Sequence, residues 1–382
     1  MDFGLTDEQR QLQDSVVHLA RKELATDLAQ REDPGWFSAK AWQRCADFGI
    51  QGLPVPERFG GQGADLVTTT VALESLGYGC ADNGFLFSLH AHLWSCVLPI
   101  LRFGNADQQA RYLPSLCNGS LVGVQAITEH ASGSDALAVK TTATPFRDGY
   151  VLNGAKTYIT NAPVAGLFLI LAALPDRADM DRLCVFVVDR DSRGLSVGAP
   201  IGKLGLHSSP MAELYLTDCH VPSSALLAEP GSGMTVFTTT IEWERGFVLA
   251  SAVGTMRRQL DEAIDHARTH RRFGTPIGHN QAISSRIVDM RVRLDAARLL
   301  LYQLAWLKDQ DRRTTLESAI VKLFLSESFV QNSMSAFELY GAAGYMDGTP
   351  PERDLRDSLA SRIYSGTSDI QRMIIARLLG LR

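Results

Sequence analysis

The feature that most constrains this chain is a change of period along it. Apolar residues recur at helical spacing, shift towards alternation, then return to helical spacing and keep it to the end. One face of a helix repeats about every 3.6 residues and one face of a strand every two, so helices must form at both ends with strands between them. Near the start Leu12, Val16, Leu19 and Ala20 share a stripe, and Thr6 with Gln9 has the spacing of a capping box. Two prolines and three glycines in residues 54–63 mark a loop. Residues 85–99 are hydrophobic on most sides and predict a buried helix.

Between about residues 122 and 229 the period shortens, at 150–152, 156–160, 167–174, 183–189 and 213–217. Asn153-Gly154 lies between the first two runs and predicts a hairpin turn, because both residues tolerate positive φ. No long helical pattern intervenes, which predicts an antiparallel β domain rather than βαβ units. After Gly231 and Gly233 come apolar-striped segments at 236–270, 281–309, 315–340 and 353–379, separated by breaks such as Phe273-Gly274-Thr275-Pro276. These predict an antiparallel four-helix bundle. The fold class is therefore α+β and multidomain: an N-terminal α-helical domain over 1–121, a middle antiparallel β domain over 122–230 and a C-terminal bundle over 231–382.

Composition removes several functions. The 382 residues are 45% hydrophobic and 21% charged with a net charge of −5, which excludes a disordered tail or a collagen and argues against sequence-independent nucleic-acid binding. No apolar run approaches the roughly 18 residues that cross a bilayer, and the polar N-terminus lacks a basic leader, so the expectation is a cytoplasmic protein without a membrane partner. Cysteines 45, 80, 96, 117, 184 and 219 form no CxxC pair and predict buried thiols. His90 and His92 are two apart, which on a helix points them away from one another, so no metal site is expected. GxGxxG, GxxxxGK[ST] and GxSxG are all absent.

Three stretches could carry chemistry. Residues 128–135 (TEHASGSD) offer hydroxyls and backbone donors suited to an anion or a heteroaromatic edge, or else form a polar connection. Residues 364–369 (YSGTSD) read as a helix break with a new N-cap at Thr367 or Ser368. Glu244 sits among Ile241, Trp243, Phe247 and Val248, where desolvation would prepare a general base. The alternative is that Glu244 pairs with Arg245 on a solvated face. Arg268, Arg271 and Arg272 either complement a helix dipole or meet a phosphate.

In their order, Ala126-Ile127-Thr128-Glu129 with Gly133-Ser134-Asp135, Tyr158-Ile159-Thr160-Asn161, Phe273-Gly274 with Gln281, and Tyr364-Ser365-Gly366-Thr367 with Asp369-Ile370-Gln371-Arg372 resemble the acyl-CoA dehydrogenase family over nearly the whole chain. The resemblance implies the same order of helical domain, β domain and four-helix bundle, a homotetramer or dimer, and one FAD per subunit. Carried over by position, Thr128, Gly133, Ser134 and Thr160 would contact the flavin ring or its ribityl and phosphate portion, with Tyr158 beside the ring. Arg271, Gln281, Thr367 and Asp369 would meet the adenosine diphosphate half, partly across subunits. His270 departs from a common Arg, which leaves Arg271 or Arg272 for the phosphate, and Glu338-Leu339-Tyr340-Gly341-Ala342 departs from a Gln-x-x-Gly-Gly segment on the adenosine side.

Ser365 stands where many members place the catalytic Glu, and a hydroxyl is far too weak a base to replace it. Another branch supplies the carboxylate from the helix that carries Glu244-Arg245, so the resemblance makes Glu244 the base. Arg245, Ser365, Tyr364 and His92 are then substrate-pocket candidates. A closer resemblance, carried by residues 87–93, 241–246 and 361–367, is to dehydrogenases of L-prolyl groups tethered to peptidyl carrier proteins. It implies α,β-dehydrogenation of an acyl or aminoacyl thioester in natural-product (antibiotic) biosynthesis, with electrons passed to an external acceptor. The alternatives are a short- or branched-chain acyl-CoA dehydrogenase, a dehydrogenase of another carrier-bound unit such as a polyketide extender, a scaffold without chemistry, and an N-oxygenase.

Overall fold

A computed structural model describes residues 4–24, 35–136, 138–177 and 179–381. The predicted order holds: helices, then a sheet, then helices. In the first part lie α1 (Asp7–Leu19), α2 (Ala39–Asp47), α3 (Leu66–Gly79), α4 (Asn83–His92), α5 (Leu98–Phe103) and α6 (Ala106–Cys117). Thr6 and Gln9 form the capping box on α1. A π-helical turn, Leu93–Val97, joins α4 to α5, so that Asn83–Phe103 is one helical run of 21 residues. Contrary to the sequence expectation, this run is long and apolar enough by length and composition to cross a membrane, with mean hydropathy 1.5. Its scattered Ser88, His90, His92 and Ser95 hide the apolar average from a search for unbroken runs. It is a core helix, with Phe85, Leu89, Trp94 and Val97 packed in the main hydrophobic cluster.

The middle part contains β1 (Gly123–Ala126), β2 (Thr142–Phe146), β3 (Gly149–Thr160), β4 (Leu167–Ala173), β5 (Leu183–Asp189), β6 (Leu195–Val197), β7 (Met211–Pro222) and β8 (Leu226–Leu227). These run in the order β6-β7-β3-β2-β4-β5-β8, with β1 beside β4. The sheet is mixed rather than purely antiparallel, because β1 pairs with β4 in parallel. Asn153-Gly154 is not the hairpin turn. The chain reverses between β2 and β3 at Arg147-Asp148, and Asn153-Gly154 forms a bulge inside β3, where the Asn153 side chain exchanges hydrogen bonds with Asp218. A Cβ on Gly154 would lie 2.5 Å from the Thr141 hydroxyl, so glycine is required there for close approach. β4 is buried along its whole length because its two faces serve different cores: Leu167, Leu169 and Leu171 pack with the helices, Phe168, Ile170 and Ala172 with the far side of the sheet.

The last part contains α7 (Gly233–Phe247), α8 (Ala250–Thr269), a small hairpin of β9 (Arg271–Arg272) and β10 (Thr275–Pro276), α9 (Gln281–Asp309), α10 (Thr315–Tyr340), α11 (Pro350–Leu359) and α12 (Ser368–Leu378). Two predicted helices are thus broken, at Val248-Leu249 and over residues 360–367. α8, α9 and α10 pack on one another, with α11 and α12 against α10. α3 meets α8 at backbone contact. A Cβ on Gly77 would sit 1.7 Å from the Ser251 carbonyl oxygen, and one on Gly254 would sit 1.9 Å from that of Glu74.

A buried polar junction ties the sheet to the helices. Leu206 N–H donates to Asp357 Oδ1 at 2.6 Å, Asn83 Nδ2 donates to Asp354 Oδ1 at 3.0 Å, and the Ser208 hydroxyl donates to Asp82. Burial pushes the Asp357 carboxyl up to about 7, opposed by the Leu206 N–H and reinforced by Asp82 and Asp354. A carboxyl whose folded-state value is raised contributes stability that is complete below its unfolded value near 4 and is lost as pH rises through its folded value. Asp357→Asn should therefore flatten the rise in unfolding free energy seen on lowering the pH from about 8 to 4, with a relative gain at pH 8 of roughly 2–4 kcal/mol. Urea titrations at several pH values measure it; parallel curves for the two proteins would disconnect Asp357 from the pH dependence.

Candidate active site

Glu244 lies on α7, where two hydroxyls from distant segments converge on its carboxylate. Ser95 Oγ donates to Oε2 at 3.0 Å and Ser365 Oγ donates to Oε1 at 2.5 Å. Ser95 belongs to the π-helical turn, a wider coil that interrupts α-helical register and commonly marks a functional position. Hydroxyls, rather than the expected apolar wall, are the direct partners of Glu244. Trp243, its neighbour, is instead packed against Trp94 and Phe247, with Lys308 and Arg102 over its ring.

The ion pair expected for this stretch falls on Glu242, which accepts from Lys308 Nζ at 2.6 Å, Thr315 Oγ1 at 2.7 Å and Thr314 Oγ1 at 3.1 Å. Arg245 turns elsewhere: its Nε donates to the Ser365 carbonyl at 3.3 Å. Burial pulls the Arg245 guanidinium below its usual value, and Glu244 and Glu242 oppose that shift.

Ser365 and Gly366 both have positive φ, 55° and 87°. For Ser365 that conformation costs on the order of 1 kcal/mol, and the turn is held by side-chain donors aimed at its carbonyls. Gln371 Nε2 donates to Ser365 O at 3.3 Å and to Gly366 O at 2.9 Å, and Lys322 Nζ donates to Ser361 O at 2.7 Å and to Gly366 O at 3.4 Å. Tyr364 stacks on Phe87 of α4 at 4.4 Å. Burial pushes its phenol up, and the charges of Glu244 and Asp357 add to the shift. Thr367 is the N-cap of α12, its side chain accepting from Ile370 N–H at 3.2 Å.

The second group sits on the β domain. Thr128 follows β1, and its carbonyl accepts from Thr157 N–H at 2.9 Å. A register shift between Lys156 and Ile159 breaks the alternation of β3, burying Lys156 and Thr157 and leaving Tyr158 exposed with φ 58°. Beneath the loop Lys156 Nζ donates to Glu129 Oε1 at 2.7 Å. Burial lowers the Lys156 ammonium to about 8 against the pull of Glu129, and hydrogen bonds from Lys156 and Thr141 overcome burial at Glu129 to hold its carboxyl below the usual range. This pair fixes the 128–134 loop from below. Gly133 and Ser134 stand exposed above it, and a Cβ on Gly133 would meet nothing within 4 Å.

One helical run joins the two groups. Asn161, next to Thr160, donates from Nδ2 to the Ser88 carbonyl at 3.0 Å, while Ser95 on the same run holds Glu244. Ser88 and Ser95 are two turns apart, about 10 Å along the axis. Gln125 Nε2 and Ser132 Oγ, which flank Thr128, are buried without a hydrogen-bond partner. Such orphaned donors are costly unless something accepts from them, and a ring with carbonyl and imine acceptors would. The β-domain residues thus fit the flavin half of FAD.

Arg271, Gln281 and Asp369 are not gathered here, whereas Thr367 directly follows the Ser365–Gly366 turn. Arg271 lies on the exposed β9–β10 hairpin, donating to Gly274 O at 3.3 Å, and Gln281 opens α9 at the surface. Asp369 pairs with Arg372 at 3.0 Å on α12. Of the departures noted in the sequence, His270 is stacked on His266 at 4.7 Å, and Glu338 pairs with Arg286 at 3.0 Å.

His92 is misplaced as a pocket residue. It is fully buried, Gly123 N–H donates to its Nδ1 at 3.0 Å and its Nε2 donates to Leu116 O at 3.1 Å, so both ring nitrogens are occupied by backbone. Burial lowers it to about 4, and the neutral ring staples the helical run to β1. Sequence reasoning missed Ser95 and Lys322, and quoted Asn161 and Gln371 within motifs without assigning them an organising role. For Ser95 a signal existed: a small polar residue in a run otherwise hydrophobic all round needs a partner.

Profiles of the acyl-CoA dehydrogenase N-terminal, middle and C-terminal domains match residues 6–120, 125–219 and 231–380. The chain is similar to an L-prolyl-[peptidyl-carrier protein] dehydrogenase of Pseudomonas fluorescens, with 39% identity over the whole of both chains. It is 34% identical to rat short-chain specific acyl-CoA dehydrogenase, covering 97% of this chain and 90% of the relative. Among solved structures it resembles the prolyl acyl carrier protein oxidase AnaB, with a TM-score of 0.96 and 42% identity over 99% of this chain and 100% of that one. It likewise resembles the FAD complex of PigA, with a TM-score of 0.96 and 37% identity over the whole of both chains.

Proposed function

The chain belongs to the acyl-CoA dehydrogenase family, and from that premise we propose that it is an FAD-dependent dehydrogenase of a prolyl thioester carried on a peptidyl carrier protein, acting in natural-product biosynthesis. The observation that carries the reading is the pair of hydroxyls that aim the Glu244 carboxylate, one of them, Ser95, on the same helical run that contacts the end of β3. A thioester α-proton is acidic only when charge can flow into the carbonyl, so the base must be oriented and the developing oxyanion stabilised.

In this reading Glu244 accepts the α-proton. Bound FAD supplies the two-electron acceptor for the hydride that leaves the β-carbon. Ser95 and Ser365 fix the carboxylate by donating to it, and Tyr364 with Phe87 forms an apolar wall. Thr128, Gly133, Ser134, Tyr158 and Thr160 hold the flavin half. Arg271, Gln281, Thr367 and Asp369 hold the adenosine diphosphate half, with a second subunit completing the site. An exposed apolar stripe on α9, made by Val288, Val292, Leu299 and Trp306, supports a homotetramer built from such pairs. The domains divide at 121/122 and 230/231. The six cysteines are buried free thiols, which supports a reducing, cytoplasmic setting, and an external acceptor reoxidises the flavin.

Intact mass measurement of prolyl-loaded carrier protein tests the proposal. The expected product is lighter by one or two pairs of hydrogen atoms, whereas acyl-CoA substrates are turned over at least ~100-fold less efficiently, a gap of roughly 2.7 kcal/mol. Preferential oxidation of short acyl-CoA with unchanged prolyl carrier protein would replace this reading by that of a short-chain acyl-CoA dehydrogenase.

A further inference from the structure

Lys322 is a fully buried charge that no step above uses. It lies on α10 with no solvent exposure, and burying an ammonium costs several kcal/mol unless its partners compensate. Its hydrogen bonds go to two main-chain carbonyls, Ser361 O at 2.7 Å and Gly366 O at 3.4 Å, and its Nζ stands 5.4 Å from the Tyr364 ring centroid. A methionine of similar shape would fill the space more cheaply. What the ammonium adds is a tether from α10 to both ends of the 361–366 turn, the turn that presents Ser365 to Glu244 in a left-handed conformation.

The groups that act on Lys322 come from each neighbouring element. Glu244 and Arg245 face it from α7, Glu327 from its own helix and Tyr364 from the turn. Burial lowers the ammonium to about 7; Glu244 opposes the shift, Arg245 reinforces it and Glu327 opposes it again. Glu327 is itself engaged by Arg362 at 3.0 Å and Ser368 at 2.7 Å. Glu244, by contrast, accepts from hydroxyls, Ser95 and Ser365, so its aim depends on how firmly the turn that carries Ser365 is held.

We propose that Lys322 is a positioning residue for proton abstraction: by donating to the Ser361 and Gly366 carbonyls it locks the turn that presents the Ser365 hydroxyl to the Glu244 carboxylate. The inference rests on Glu244 being the base. It places no contact between Lys322 and the substrate. Removing the tether should therefore alter how well the base is aimed, and leave substrate capture largely intact.

The test uses flavin-loaded enzyme and prolyl carrier protein with Lys322→Met, which removes donor and charge, and Lys322→Gln, which keeps a donor and removes the charge. In Lys322→Met kcat at pH 7 should fall by about tenfold or more with KM changed by less than about threefold, and Lys322→Gln, whose amide can still donate to a turn carbonyl, should recover part of that loss. Visible absorbance of bound flavin checks that each variant is loaded, and if Lys322→Met does not fold, Lys322→Gln decides. A loaded Lys322→Met variant with the wild-type kcat overturns the proposal, as does a loss carried by KM rather than by kcat. Glu244→Gln separates the two readings: retained turnover there removes Glu244 as base, whereas a dead Glu244→Gln beside a Lys322→Met variant of wild-type kcat removes only Lys322.

Discussion

Glu244→Gln should yield a folded, flavin-binding protein whose turnover of prolyl carrier protein is reduced by about 10⁴-fold, equivalent to roughly 5 kcal/mol of barrier. The amide keeps the volume of the carboxylate, and its oxygen still accepts from Ser95 or Ser365, so packing around α7 is preserved. What it loses is the capacity to take a proton. The neighbouring carboxylate, Glu242, cannot substitute, since it is engaged by Lys308, Thr314 and Thr315. The Ser365 hydroxyl donates towards Glu244 and is far too weak a base to replace it. Single-turnover flavin reduction, followed by absorbance, isolates the chemical step from product release. Reduction within tenfold of the wild-type rate would refute the role of Glu244.

Arg258→Met should cost about 3–5 kcal/mol of stability, the usual result of stripping one partner from a buried ion pair. Arg258 on α8 reaches both oxygens of Asp354 on α11 at 3.0 Å, with Glu262 at 3.4 Å on its other side. Burial pulls the guanidinium down, but Asp354 and Glu262 more than offset it and hold the group above its usual value. Without Arg258, Asp354 would remain buried with only the amides of Asn83 and Gln259 as donors. The thermal midpoint should drop by on the order of 5–10 °C. Adding Asp354→Leu should recover much of the loss, because an apolar pair no longer buries an uncompensated charge. No recovery in the double variant would show that the ion pair is not the source of the effect. Since α11 leads directly into the 361–366 turn, kcat should fall with stability in the single variant.

The domain order, the capping box on α1 and the N-cap at Thr367 were legible because each depends on residues close in sequence. Thr128 to Ser134 and Tyr158 to Thr160 were nominated for the flavin side by resemblance, since the residue types of 128–135 alone left a polar connection open. Asn153-Gly154 misled because a turn and a bulge make the same local demand for unusual φ, and only pairing with β7 and the Asn153–Asp218 contact selects the bulge. His92 misled because its motif does not reveal that backbone from α6 and β1 consumes both ring nitrogens. The choice between Glu242 and Glu244 as the ion-paired residue was equally hidden. Two residues apart on a helix, they point to different neighbours, and those neighbours come from α9 and α10 in one case and from the Leu93–Val97 turn and the 361–366 turn in the other.

The sequence by itself determined the change of period, and with it helices at both ends, a sheet between them and a chain without metal or disulfide spacing. It also nominated Glu244, through resemblance rather than through pattern. Tertiary structure alone decided what Glu244 is: a carboxylate aimed by hydroxyls 149 residues before it and 121 residues after it, beside a turn tethered by a lysine from a third helix. Periodicity records which face of an element is buried, because burial acts on every residue of that face. It carries no record of which distant donor meets which acceptor, because that pairing is fixed only when whole elements have packed.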